Sequence, residues 1–129
     1  MSLSILLIED NPDHALLVEM ALEALTPPAE LHLIADGKQA LDCLQSAGAL
    51  PDIVLLDLKL PRVDGLAVLQ AMRQSARWRT VPVIVLTTSN RPADVEACLA
   101  SGANAYLSKI TDLSSLATRL AALLPMPVG

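Results

Sequence analysis

Phenylalanine is missing from this 129-residue chain, and Trp78 and Tyr106 are its only aromatic residues. A core without aromatics has to be aliphatic. With 53% hydrophobic residues, the chain carries enough aliphatic material for one domain of ordinary size. Positive charge is also scarce: nine Lys and Arg stand against 14 Asp and Glu, for a net charge of −5. That deficit argues against nucleic acid, whose phosphates need a basic face. No apolar run reaches the ~20 residues of a membrane span. The N-terminal run Leu3 to Ile8 contains Ser4 and stops at Glu9-Asp10, so it does not read as a signal peptide. Cysteine is limited to Cys43 and Cys98, far apart and each in an apolar helical pattern. They read as two free thiols in a reducing cytoplasm, not as a disulfide or a metal pair. No linker, repeat or low-complexity segment divides the chain. The expectation is a single domain over 1–129 with no output domain.

Strand and helix patterns alternate throughout. "LSILLIED" is a short apolar strand ending near Ile8, after which Asn11 or Asp10 caps a helix with Pro12 in its first turn. That helix is expected to run to about Leu25, where Thr26-Pro27-Pro28 ends it. "ELHLI" alternates as an edge strand does. Asp36 with Gln39 has capping-box spacing and opens a helix that Gly48 is expected to close. Ile53 to Leu56 is the most apolar strand. A helix follows Gly65 with Leu66, Leu69 and Met72 spaced to face a core, and "VPVIVL" makes the fourth strand. Val95, Cys98 and Leu99 mark a short helix closed by Gly102, and Ala105 to Leu107 a fifth strand. A last helix carries Leu113, Leu116, Ala117, Leu120 and Leu124 on one stripe. Five such βα units imply a parallel sheet covered by helices on both faces.

In such sheets the site forms at the carboxyl ends of the strands. The first strand ends in Glu9 and Asp10, the third in Asp57 and the fourth in Thr87, while Lys109 follows the fifth. Carboxylates gathered on one rim raise one another's pKa and call for a positive partner. Hard oxygen ligands with room for water suit Mg²⁺. A metal, a lysine and a hydroxyl together suit a phosphoryl group, with Asp57 as the nucleophile that forms an aspartyl phosphate.

The stretches "LIEDN", "LLDLKLPRVDG", "VIVLTTS" and "GANAYLSK" resemble, in order and over essentially the whole chain, the signatures of the response-regulator receiver family. The resemblance implies a doubly wound, flavodoxin-like (βα)5 three-layer sandwich with strand order 2-1-3-4-5. It implies that Asp57 accepts phosphate from a partner sensor histidine kinase, and that the chain is a phosphoacceptor rather than an enzyme with a separate substrate. Glu9 and Asp10 match the acidic pair, with Asp10 and Asp57 as direct Mg²⁺ ligands and the Lys59 backbone carbonyl completing the site. Thr87 matches the switch hydroxyl, Lys109 the phosphate-pairing lysine, and Tyr106 the aromatic that changes rotamer with Thr87. "LTTS" and the residues after Lys109 resemble stand-alone regulators paired with phytochrome kinases. Most receivers follow the lysine with a cis-proline, whereas here Ile110 follows. A trans Lys109–Ile110 bond is therefore expected, since cis without proline costs ~2.5–4 kcal/mol.

Other readings meet specific obstacles. A phosphohydrolase with an aspartyl nucleophile usually carries a second acid two residues on, where Lys59 stands here. A nucleotide or flavin binder needs a glycine-rich loop after the first strand, and "EDNPDH" has no glycine. A pseudo-receiver, an interaction module without phosphotransfer, would not need Asp57, Thr87 and Lys109 together. Asp10 is expected to help cap the first helix, and Asp64-Gly65 to serve as turn and helix start. Trp78 reads as packing at a helix end, and His14 and His32 as surface residues without metal-ligand partners. The small residues Ser114, Ser115, Thr118, Ala121 and Ala122 on the last helix suggest a homodimer face.

Overall fold

Strands buried on both faces need continuous apolar runs, and that demand decides which segments occupy the middle of the sheet. The computed structural model describes residues 4–23, 30–45, 48–60, 63–88, 91–109 and 118. Along the chain run β1 (Ser4–Ile8), α1 (Pro12–Leu22), β2 (Glu30–Ile34), α2 (Gly37–Leu44), β3 (Ile53–Leu56), α3 (Gly65–Gln74), β4 (Val83–Thr87), α4 (Pro92–Ala100) and β5 (Ala105–Ser108). The strands form one parallel sheet ordered β2-β1-β3-β4-β5, as the resemblance implied. Every residue of β3 and β4 is buried, whereas β2, at the edge, keeps Leu33 about half exposed.

Alternate side chains serve two aliphatic cores. On one face Ile5 and Leu7 of β1 pack with Ala15, Val18 and Leu22 of α1 and with Ile53, Leu55, Ile84 and Leu86. On the other, Leu6, Ile8, Val54 and Leu56 meet Ala40 of α2 and Val68, Leu69 and Met72 of α3. Trp78 closes the second core in the turn after α3, as a packing residue should. Cys98 is buried, Cys43 is half-buried, and both are free thiols.

Several boundaries differ from expectation. Asn11, not Asp10, caps α1: its Oδ1 accepts from the amides of Asp13 (2.9 Å) and His14 (3.2 Å). Asp10 stands one residue too early to reach those donors and is exposed. The second helix stops at Leu44 rather than at Gly48, because the Gln45 amide turns back to the Asp42 carbonyl at 3.1 Å and tightens the last turn. On α4 Cys98 faces the core while Leu99, one step of about 100° further round, is half exposed. The expected end of the first helix near Leu25 lies outside the described residues. So do the Lys109–Ile110 bond and the last-helix stripe Leu113, Leu116, Ala117, Leu120 and Leu124. Among the described residues no helix is long and apolar enough to cross a membrane.

Candidate functional site

The crossover from β1 to β2 goes one way across the sheet and the connection to β3 goes the other, which leaves a crevice above the β1 and β3 ends. Backbone bonds that continue the ladder one residue past the strand ends hold the site residues. The Glu9 amide donates to the Ile34 carbonyl (2.9 Å), the Asp57 amide to Ile8 (3.0 Å) and the Lys109 amide to Thr87 (2.9 Å). Each functional side chain thus leaves from a backbone fixed to its neighbouring strand.

The loop after Asp57 folds back tightly. The Gly65 amide donates to the Leu58 carbonyl at 2.8 Å, and a Cβ on Gly65 would lie 2.1 Å from the Asp57 carbonyl oxygen. Only glycine permits that approach. Asp64 caps α3 by accepting from the Ala67 amide at 3.0 Å, the helix-start role expected of it.

Glu9 and Asp57 are buried and Asp10 is exposed, and one carboxylate oxygen from each lies within 4.8 Å of the others. The Lys109 ammonium enters from β5. It pairs with Glu9 Oε1 and lies 3.1 Å from Asp57 Oδ2. The second oxygens are bonded too: Asp57 Oδ1 accepts from the Lys59 amide at 3.2 Å and Glu9 Oε2 from the Asn11 amide at 3.2 Å. Burial raises the Glu9 pKa from 4.5 to about 7; the Lys109 hydrogen bond opposes this and the Asp57 charge adds to it.

A divalent cation fits this donor set. All three groups offer hard oxygens, two of them sit where an unneutralised charge is costly, and exposed Asp10 leaves an open side for water. Thr87 is fully buried at the end of β4, next to the Lys109 backbone. Tyr106 lies in β5, half-buried and opposite Val85, three residues before Lys109. Lys59 is exposed and brings its amide to Asp57.

His14 was missed. Expected at the surface without a role, it instead places Nδ1 3.2 Å from Lys109 Nζ and 3.8 Å from Glu9 Oε1, with its side chain 34% exposed. The available signal was position: α1 starts at the strand rim, so its first turn lies over the site. His32 does sit at the surface, 3.6 Å from Glu30.

Comparisons with known proteins converge on this architecture. A family model described as the response regulator receiver domain matches residues 5–121. Rcp1 of Synechocystis sp. is 38% identical over 117 residues, covering 87% of this chain and 80% of that protein. The crystal structure of the Mn²⁺-bound form of Rcp1 superposes with a TM-score of 0.83 at 34% identity, covering 97% of this chain and 96% of that one. The phosphorylated cyanobacterial phytochrome response regulator RcpA superposes with a TM-score of 0.83 at 32% identity, covering 95% and 91%. A receiver domain of a sensor histidine kinase from Pseudomonas aeruginosa, with a magnesium ion coordinated in its active site cleft, does so with a TM-score of 0.81 at 33% identity, covering 95% and 98%.

Proposed function

The chain belongs to the response regulator receiver family, and from that premise we propose that Asp57 accepts a phosphoryl group from a sensor histidine kinase. The observation that carries this reading is the buried Asp57 carboxylate, 3.1 Å from the Lys109 ammonium and clustered with Glu9 and Asp10. Asp10, Asp57 and the Lys59 carbonyl would hold Mg²⁺, with Glu9 behind them. When bound, the ion supplies positive charge that neutralises the phosphoryl oxygens.

An Asp57 carboxylate oxygen attacks phosphorus in line. The O–P bond forms as the donor's P–N bond breaks, and the bonding pair returns to an imidazole whose other nitrogen carries the proton. Lys109 turns a donor from the carboxylate to a phosphoryl oxygen. Thr87, buried at the β4 end, contributes its hydroxyl, and Tyr106 on the adjacent strand responds to its movement. Phosphorylation then acts by biasing an existing two-state equilibrium.

The test is incubation with acetyl phosphate and Mg²⁺. A single hydroxylamine-sensitive phosphate is expected on the wild type and none on Asp57→Asn. Equal labelling of both would reject Asp57, and no labelling of either would leave a pseudo-receiver.

The likeness to RcpA supports a kinase of the phytochrome type. The match over most of Rcp1 supports the receiver as the working unit, and the free thiols support a cytoplasmic site of action. Exposed Thr118 is in keeping with a homodimer through the last helix. Sedimentation is expected to show a dimer, and a monomer both with and without phosphate would remove that part of the reading.

A further inference from the structure

We propose that His14 is a positioning residue for Lys109, fixing the ammonium where it meets the phosphoryl group; this rests on reading Asp57 as the phosphoacceptor. An ammonium has three N–H donors and accepts nothing. Lys109 Nζ faces three acceptors: Glu9 Oε1, Asp57 Oδ2 at 3.1 Å and His14 Nδ1 at 3.2 Å. Donors and acceptors match in number. Because the ammonium can only donate, Nδ1 must accept in this contact. With the Lys109 side chain only 6% exposed, water is poorly placed to replace a lost partner.

The three acceptors differ in what happens to them. Asp57 becomes an acyl phosphate, so the donor aimed at it passes to the phosphoryl group. Glu9 belongs to the carboxylate cluster that a cation would draw upon. His14 stands outside that cluster and is not phosphorylated, so it alone keeps the same relation to Lys109 throughout. Its own place is set by the helix start, where its amide donates to the Asn11 side chain at 3.2 Å. Positioning therefore passes from the α1 cap, through the imidazole, to the lysine, which touches the reacting group.

The deciding comparison is His14→Leu against His14→Asn. Leucine fills similar space without an acceptor, while the asparagine Oδ1 falls near the place of Nδ1. With acetyl phosphate and Mg²⁺, His14→Leu is expected to label Asp57 about fivefold more slowly, with a lower maximal labelling rate and a little-changed half-saturating acetyl phosphate concentration, because Glu9 still holds the lysine. His14→Asn is expected to recover most of that loss. Melting curves check that both variants fold, and His14→Ala serves as a second acceptor-free variant. Wild-type rates in the acceptor-free variants would overturn the proposal. So would equal slowing in all three, which would assign His14 to packing alone. Failure of the wild type itself to take phosphate would count against the function reading instead.

Discussion

Glu9, at 2% exposure, sits almost entirely out of water, and although Lys109 touches it the balance still favours its proton. Its pKa rises from 4.5 to about 7, so between those values the native state holds a proton that the unfolded chain has released. The contribution of Glu9 to stability is therefore fully present below about pH 4.5 and is lost as pH rises through about 7. In the metal-free protein, wild type is expected to lose more stability than Glu9→Gln between pH 5 and pH 7.5. Urea melts in a chelator at both pH values check this, and parallel losses in the two proteins would contradict it. At this scale the sequence shows which residue types reach the rim but not how they pair. Glu9, Asp57 and Lys109 were legible because each follows an apolar strand. The His14–Lys109 contact was not, because it joins residues 95 positions apart and depends on the rotation of α1 over the rim.

Among elements, α3 is tied to the far ends of β4 and β5 by one side chain. Arg73, in the last turn of α3, donates from Nε to the Gly102 carbonyl (2.9 Å) and from Nη1 to the carbonyls of Trp78 (3.3 Å), Arg79 (3.2 Å) and Val81 (2.9 Å). Its Nη2 donates to Asn104 Oδ1 at 3.0 Å, and that oxygen also accepts from the Val83 amide at 2.9 Å. Partial burial lowers the guanidinium pKa, yet the planar fork satisfies several carbonyls at once, which a lysine point charge would not. Arg73→Ala is expected to destabilise by about 2–4 kcal/mol through the orphaned carbonyls, with Arg73→Lys recovering little. Denaturant unfolding measures both, and full recovery by lysine would show that charge alone matters. Nothing in the sequence singled out Arg73, because four of the five partners named here are backbone carbonyls and the fifth, Asn104, lies 31 positions away. The strands and the starts of α2 and α3 were legible from apolar runs and caps. The end of α2 was not, because a tightened last turn at Gln45 closes it before the glycine four residues beyond Leu44.

For the whole molecule, the two-faced core was readable because alternating βα units allow few arrangements, while the strand order came from the family resemblance; β1 lies between β2 and β3, and the opposite directions of those two connections create the crevice. What that crevice costs appears only in three dimensions: three carboxylates within 4.8 Å, with Lys109 paired to two of them. A cation that binds the native state alone stabilises by RT ln(1 + [L]/Kd), about 2.7 kcal/mol at a hundredfold excess over Kd. Millimolar Mg²⁺ is therefore expected to raise the melting temperature of the wild type by several degrees. Asp10→Ala makes the argument two-sided. Removing Asp10 relieves repulsion in the metal-free protein, so this variant is expected to melt at or slightly above the wild type in a chelator. Because Asp10 is exposed, water screens that gain and keeps it small. With Mg²⁺ the order is expected to reverse, since the variant has lost a ligand and keeps only part of the increment. Melting curves of both proteins with chelator and with Mg²⁺ decide it: parallel shifts would remove Asp10 from the metal site, and a variant less stable than wild type in chelator would show that Asp10 repulsion is not what the cation relieves.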